Sequence, residues 1–186
     1  GAGRGDPEED KKLGNAAFKA GKWGEAIEHY TLALDRLVPQ EALLQCMPAR
    51  AVYHTNRAAA YLARDVSPHG DESVGRHDDG DAARALLDAN EAINYNGKYH
   101  KAHYRKAQAL EKLGKLKEAL GAAERAHELS TGPACAEMAS LVARLGALST
   151  GTSPAAPSKA PATSAELLEV GGGGMVNLSG AGGVGG

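Results

Sequence analysis

The chain is poor in aromatic residues, with one Trp, one Phe and six Tyr making up 4% of it. That scarcity speaks against a β-sandwich core and suits helices packed through alanine. Cysteine is nearly absent: Cys46 and Cys135 lie far apart, and there is no CxxC pair. A disulfide framework and a zinc site are therefore excluded, and reduced thiols in an intracellular helical protein are expected. No apolar run approaches the ~18–20 residues that cross a bilayer, and no secretory signal is read at the start. Formal charge is only −2, so no global basic field exists to hold nucleic acid. The chain opens on Gly1 rather than Met, as a piece of a longer protein would.

Signatures of chemistry are missing too. There is no nucleophile elbow, P-loop or dinucleotide fingerprint. The glycines at 171–174 follow no strand and open no helix, so they do not form a phosphate loop. The HDDGD run lacks the spaced ligands and closing Glu of a calcium loop. The seven histidines are scattered, and His100 and His103, three apart, have no third ligand nearby. The expectation is no enzyme, no cofactor and no metal.

What is present is a repeat. Residues 98–129 read as two amphipathic helices joined at Gly114. On the first, Tyr99, Ala102, Ala107 and Leu110 leave Lys101 and Arg105 four apart on one face. On the second, Leu116, Ala119, Leu120, Ala123, Ala126 and Leu129 recur at helical period. A hairpin of this length cannot bury its own apolar stripe and needs neighbours of its kind. The same punctuation, Gly then Ala then Ala, occurs at Gly21–Ala26–Ala33, Gly80–Ala85–Ala92 and Gly114–Ala119–Ala126. Ala85 to Ala119 spans 34 residues, whereas Ala26 to Ala85 spans 59, which is one period plus 25. Placing Asn56-Arg57-Ala58-Ala59-Ala60-Tyr61 on the first helix of the second repeat puts about 10 extra residues before that helix and about 15 after it, where helix ends tolerate length.

Taken in order, residues 1–6 are glycine-rich and expected to be flexible. Asp6-Pro7-Glu8-Glu9 reads as a capped helix start, with acids facing the helix dipole and Gly21 as the stop. Trp23 opens a second helix bearing Ala26, Ile27, Tyr30, Ala33, Leu34 and Leu37. Pro39 interrupts the pattern, a helical turn or two follows over 41–47, and Pro48 precedes a further helix at about 50–64. Residues 65–80, DVSPHGDESVGRHDDG, are acidic and without period. They read as an exposed insertion in a repeat turn, the alternative being a functional segment with Ser67-Pro68 as a phosphorylation site. Helices are expected at about 81–94, 98–112 and 115–130. Residues 133–148 carry Ala136, Met138, Ala139, Leu141, Val142 and Leu145 at helical spacing, suited to cover the open end of a stack. Residues 149–186 turn to Gly, Ser, Pro, Ala and Thr and are expected to be a disordered tail, with 165–170 as its one candidate for a short helix.

Leu13-Gly14-Asn15, Ala26 and Tyr30 resemble the signature of a first tetratricopeptide repeat. The resemblance implies an all-α fold of three helix-turn-helix repeats, at about 8–38, 51–96 and 98–131, forming a right-handed superhelix. A capping helix at about 133–148 closes a domain spanning 7–148. In such domains the first helices of successive repeats line a concave surface. There Lys11 and Asn15, Asn56, and Lys101 and Arg105 match, residue by residue, the carboxylate clamp of co-chaperones. Asn15 and Asn56 are telling, because Asn is a poor interior helix former.

What the resemblance implies is a protein–protein adaptor in the cytoplasm, monomeric, with no nucleic acid or membrane partner. Its ligand would be the acidic Glu-Glu-Val-Asp C-terminus of cytosolic heat-shock protein 90 or 70. Lys11, Asn15 and Asn56 would hold the terminal carboxylate. Lys101 would reach the Asp side chain, and Arg105 the peptide's side-chain or backbone acceptors. Charge-assisted bonds of about 1.5–3 kcal/mol each suffice for a reversible, salt-sensitive complex. Phe18, Lys19 and the surroundings of Tyr61 are candidates for reading upstream residues. Two alternatives stay open: a scaffold that uses its convex face or insert, and the repeat fragment of a larger J-domain or other multidomain co-chaperone.

Overall fold

A computed structural model describes residues 5–37, 43–66 and 80–151. Among the described residues the chain forms seven helices and no strand: α1 (Pro7–Lys19), α2 (Trp23–Arg36), α3 (Leu43–Val66), α4 (Gly80–Tyr95), α5 (His100–Lys112), α6 (Leu116–Leu129) and α7 (Ala134–Thr150). Each helix packs on the next, and α3 also touches α1 and α5. The result is three antiparallel hairpins, α1–α2, α3–α4 and α5–α6, stacked with α7 behind the last. Among the described residues no helix is long and apolar enough to cross a membrane.

The first turn forms as its residues dictate. The Asp6 carboxylate accepts from the Glu8 backbone N–H at 2.9 Å, and Pro7 sits where its missing N–H costs nothing. Gly21 and Gly114 end α1 and α5 in the left-handed region, at φ 75° and 73°. At both, two backbone bonds close the helix: Lys22 N–H to Ala17 and Gly21 N–H to Phe18, then Lys115 N–H to Leu110 and Gly114 N–H to Glu111. These are paired Schellman closures, which favour glycine. Gly80, the middle glycine of the register, opens α4 instead. Residues 67–79 lie outside the described residues.

All six register alanines, Ala26, Ala33, Ala85, Ala92, Ala119 and Ala126, are completely buried. A methyl group at each lets neighbouring helices approach closely. Gly14 has the same purpose in stronger form: a Cβ there would meet the Tyr30 ring at 2.6 Å. At the far end Met138, Leu141 and Leu145 of α7 pack into a cluster with Leu110, Ala119, Ala123 and Ala126. Two polar ties fasten α7 to α5: the Tyr104 hydroxyl donates to Glu137 at 2.6 Å, and Arg144 pairs with Glu111.

One expectation fails. Pro48 does not divide two helical pieces; it lies inside the continuous 24-residue α3. It sits close to the helix start, so it forgoes one ladder bond instead of breaking a long run. The stretch beyond it is anchored sideways, by Arg50 donating to the Leu37 carbonyl and lying over the Tyr95 ring at 5.6 Å. The expected insertion also shrinks, since α3 continues to Val66. The Ser67-Pro68 site and the candidate helix at 165–170 lie outside the described residues. So do most of the expected flexible N-terminus and most of the tail.

The first two hairpins are joined by a buried ion cluster. Arg57 of α3 grips Asp88 of α4 with Nε and Nη2, both at 2.8 Å, and its Nη1 donates to Thr31 of α2 at 2.9 Å. His54 Nδ1 lies 2.8 Å from the same carboxylate, its ring stacked on Tyr95 at 5.7 Å. Burial alone would raise the Asp88 carboxyl, but the bonds from Arg57 and His54 outweigh it and hold the group below the usual carboxylate range. A second bidentate pair, Arg64 to Asp81 at 2.7 Å, ties the end of α3 to the start of α4 across the insertion. With α3 fixed in this way, the adjacent face of the helix is turned toward α1.

Candidate functional site

The face of α3 toward α1 presents Asn56 and, one turn earlier, Tyr53. Asn56 is 1% exposed and donates through Nδ2 to Asn15 Oδ1 of α1 at 3.3 Å. The Tyr30 hydroxyl of α2 donates to the same oxygen at 2.8 Å. With its oxygen held by two donors, Asn15 is locked in one amide orientation, its NH2 end turned away from them. Burial pushes the Tyr30 phenol above its ordinary value, and the positive charge of Arg105 opposes this.

Arg105 is 2% exposed. One of its terminal nitrogens, Nη1, donates to Gln108 at 2.8 Å, while the other, Nη2, is buried with no hydrogen-bond partner. Burial draws its pKa below the ordinary value, opposed by Tyr104, Glu137, Tyr99 and Tyr30; a guanidinium so shifted still carries its charge. A buried, unpaired charged donor is costly and asks for an acceptor. Asn56 Oδ1 is likewise buried without a partner.

Lys11 is 3% exposed, lies 6.0 Å above the Tyr53 ring and is bonded through Nζ to Glu8 at 2.7 Å. The other oxygen of Glu8 accepts from the Tyr53 hydroxyl at 2.6 Å. Burial alone would raise the Glu8 carboxyl; the bonds from Lys11 and Tyr53 hold it low. Burial and the Glu8 charge both push the Tyr53 phenol up.

Of the five residues expected from sequence, Lys11, Asn15 and Asn56 are thus brought together on α1 and α3, while Arg105 is buried on α5. Lys101 stands one helical turn before Arg105 on α5, half-buried. Three contributors were missed by sequence reasoning: the hydroxyls of Tyr30 and Tyr53, and Glu8. Tyr30 had been counted among apolar positions. The available signal was spacing, since Glu8 lies three before Lys11 and Tyr53 three before Asn56. Elsewhere, His103 Nε2 lies 3.0 Å from the Gly97 carbonyl, and no group of three metal-binding side chains gathers among the described residues.

The arrangement is that of a helical-repeat domain with buried polar donors on the first helices of its hairpins. No family model matches the chain. Among curated proteins, protein unc-45 homolog B of Xenopus tropicalis is 34% identical over 114 residues, 61% of this chain but 10% of that protein. The chain therefore spans about a tenth of the length of this relative. Among solved structures, the first tetratricopeptide domain of Spaghetti (RPAP3), bound to the HSP90 peptide SRMEEVD, is 29% identical with a TM-score of 0.60 over 78% of this chain and 96% of that one. The second such domain of human RPAP3, in complex with the HSP70 peptide SGPTIEEVD, is 28% identical with a TM-score of 0.55 over 74% of this chain and 92% of that one. The chain is a tetratricopeptide-repeat domain.

Proposed function

We propose that the protein is a cytoplasmic co-chaperone adaptor that binds the acidic Glu-Glu-Val-Asp C-terminus of heat-shock protein 90 or 70. The observations that support this are the meeting of Asn15 and Asn56 between α1 and α3 and the buried Arg105 of α5, whose Nη2 donor has no acceptor among the described residues. The C-terminal Asp of such a peptide offers two carboxylates on one residue. Lys11 and the two amides hold the main-chain carboxylate, Lys101 the side chain, and Arg105 an acceptor further along the peptide. Recognition is reversible and involves no chemistry. Charge-assisted contacts at half-buried and buried positions favour a micromolar complex that weakens with salt.

The test is a titration of the chain with a peptide ending in Glu-Glu-Val-Asp, free and amidated at its C-terminus. The clamp reading expects the free acid to bind and the amide to lose most of the affinity. Lys101→Ala or Arg105→Ala should do the same while leaving the helical signal unchanged. Equal binding of both peptides, or of neither, returns the protein to a scaffold role.

A further inference from the structure

We propose that Glu8 is a resident carboxylate that occupies the Lys11 corner of the groove and must be displaced by the ligand, and that the Tyr53 hydroxyl then becomes a further donor to the incoming carboxylate. This rests on the clamp reading above and adds to it a competitor and a contact residue.

The geometry at Glu8 is already that of a bound carboxylate. Lys11 Nζ takes one oxygen at 2.7 Å, and the Tyr53 hydroxyl takes the other at 2.6 Å. The donors come from different helices, α1 and α3, 42 positions apart in the chain (53 − 11 = 42), so their convergence is a product of the fold. Both are rigidly housed: the Lys11 side chain is 4% exposed and Tyr53 1%. The carboxylate between them is different. Its side chain is 44% exposed and stands on the first turn of α1, where its removal uncovers no core. The donors form the site, and Glu8 is the part that can leave.

This has a consequence for selectivity. A lone acidic side chain on a passing protein gains at this corner only what Glu8 already supplies. A chain end that also engages Asn15, Asn56, Lys101 and Arg105 gains more and takes the place. Glu8 thus acts as a filter against single carboxylates. Tyr53, three residues before Asn56 on α3, extends the amide pair toward Lys11.

The experiment titrates the full chain with a free-acid peptide ending in Glu-Glu-Val-Asp. Glu8→Gln should bind about two- to fivefold more tightly, the range an ion pair of this exposure can impose. In a Glu8→Ala background, where Tyr53 has lost its internal partner, Tyr53→Phe should weaken binding about tenfold, as loss of a hydrogen bond to a charged group does. Far-UV circular dichroism checks that each variant keeps its helices. Unchanged or weaker binding by Glu8→Gln overturns the competitor, and an inert Tyr53→Phe in the Glu8→Ala background overturns the contact. Failure of the clamp itself shows separately, in the unsubstituted chain, as equal binding of free and amidated peptide.

Discussion

Two polar clusters lie on adjacent faces of α3, and they are built on different terms. Around Asp88 both carboxylate oxygens and every arginine nitrogen of Arg57 named above have partners. On the side toward α1, Asn56 Oδ1 is buried and has none, and neither has Arg105 Nη2 of α5. A saturated buried cluster joins helices and fixes their register. An unsaturated one adds nothing to stability and holds its bonding capacity for a ligand. Charge burial alone does not separate the two; completeness of pairing does.

The sharpest way to break this contrast is to remove Asp88. Asp88→Ala leaves a buried guanidinium without its anion and should cost about 3–5 kcal/mol in urea unfolding, because one partner of a buried pair is then uncompensated. A loss below about 1 kcal/mol would mean that the cluster is a solvated surface pair after all. Next in size is Gly14→Ala, whose Cβ would collide with the Tyr30 ring. Thermal or urea unfolding should show about 1–3 kcal/mol of overpacking. Peptide binding should fall with it, since Tyr30 orients Asn15.

Arg105→Met takes the comparison from the other side. It removes a buried cation with an unpaired donor and keeps most of the volume. Stability should stay within about 1 kcal/mol of the original, or rise, while peptide affinity collapses. A large loss of stability would place Arg105 with the Asp88 type of cluster.

The smallest effect is in the pH dependence. The Asp88 carboxyl is depressed in the folded protein, so its contribution is complete above the unfolded carboxylate value of about 3.9 and is lost as pH falls through the lower folded value. Glu8 acts in the same direction. Stability measured from neutral to acid pH should therefore decline on the acid side, and Asp88→Asn should flatten that decline.

The legible part of the fold was the part governed by local spacing. Ala26, Ala33, Ala85, Ala92, Ala119 and Ala126 could be picked out because a small residue at helical period marks a close helix crossing, and all six are fully buried. Gly21 and Gly114 could be read as stops, because few other residues take a left-handed backbone at low cost. The same logic misread Pro48, which lies inside a helix where side contacts hold the stretch beyond it. It obeys packing that its immediate neighbours in sequence do not reveal. Tyr30 looked apolar by position and Tyr53 carried no signal of its own, and only their partners 15 and 45 residues away made their hydroxyls matter.

By itself, then, the order of residues determined that this chain is a stack of helical hairpins, because period, small residues and turn glycines act over a few residues at a time. Only the tertiary structure decided that Asp88 is a structural anion, that Asn15 and Asn56 meet, that Arg105 is buried with a donor to spare, and that Glu8 sits between Lys11 and Tyr53. Those facts depend on distances between helices far apart in the chain. The free energy of a buried charge is set by what the fold brings within hydrogen-bond reach of it.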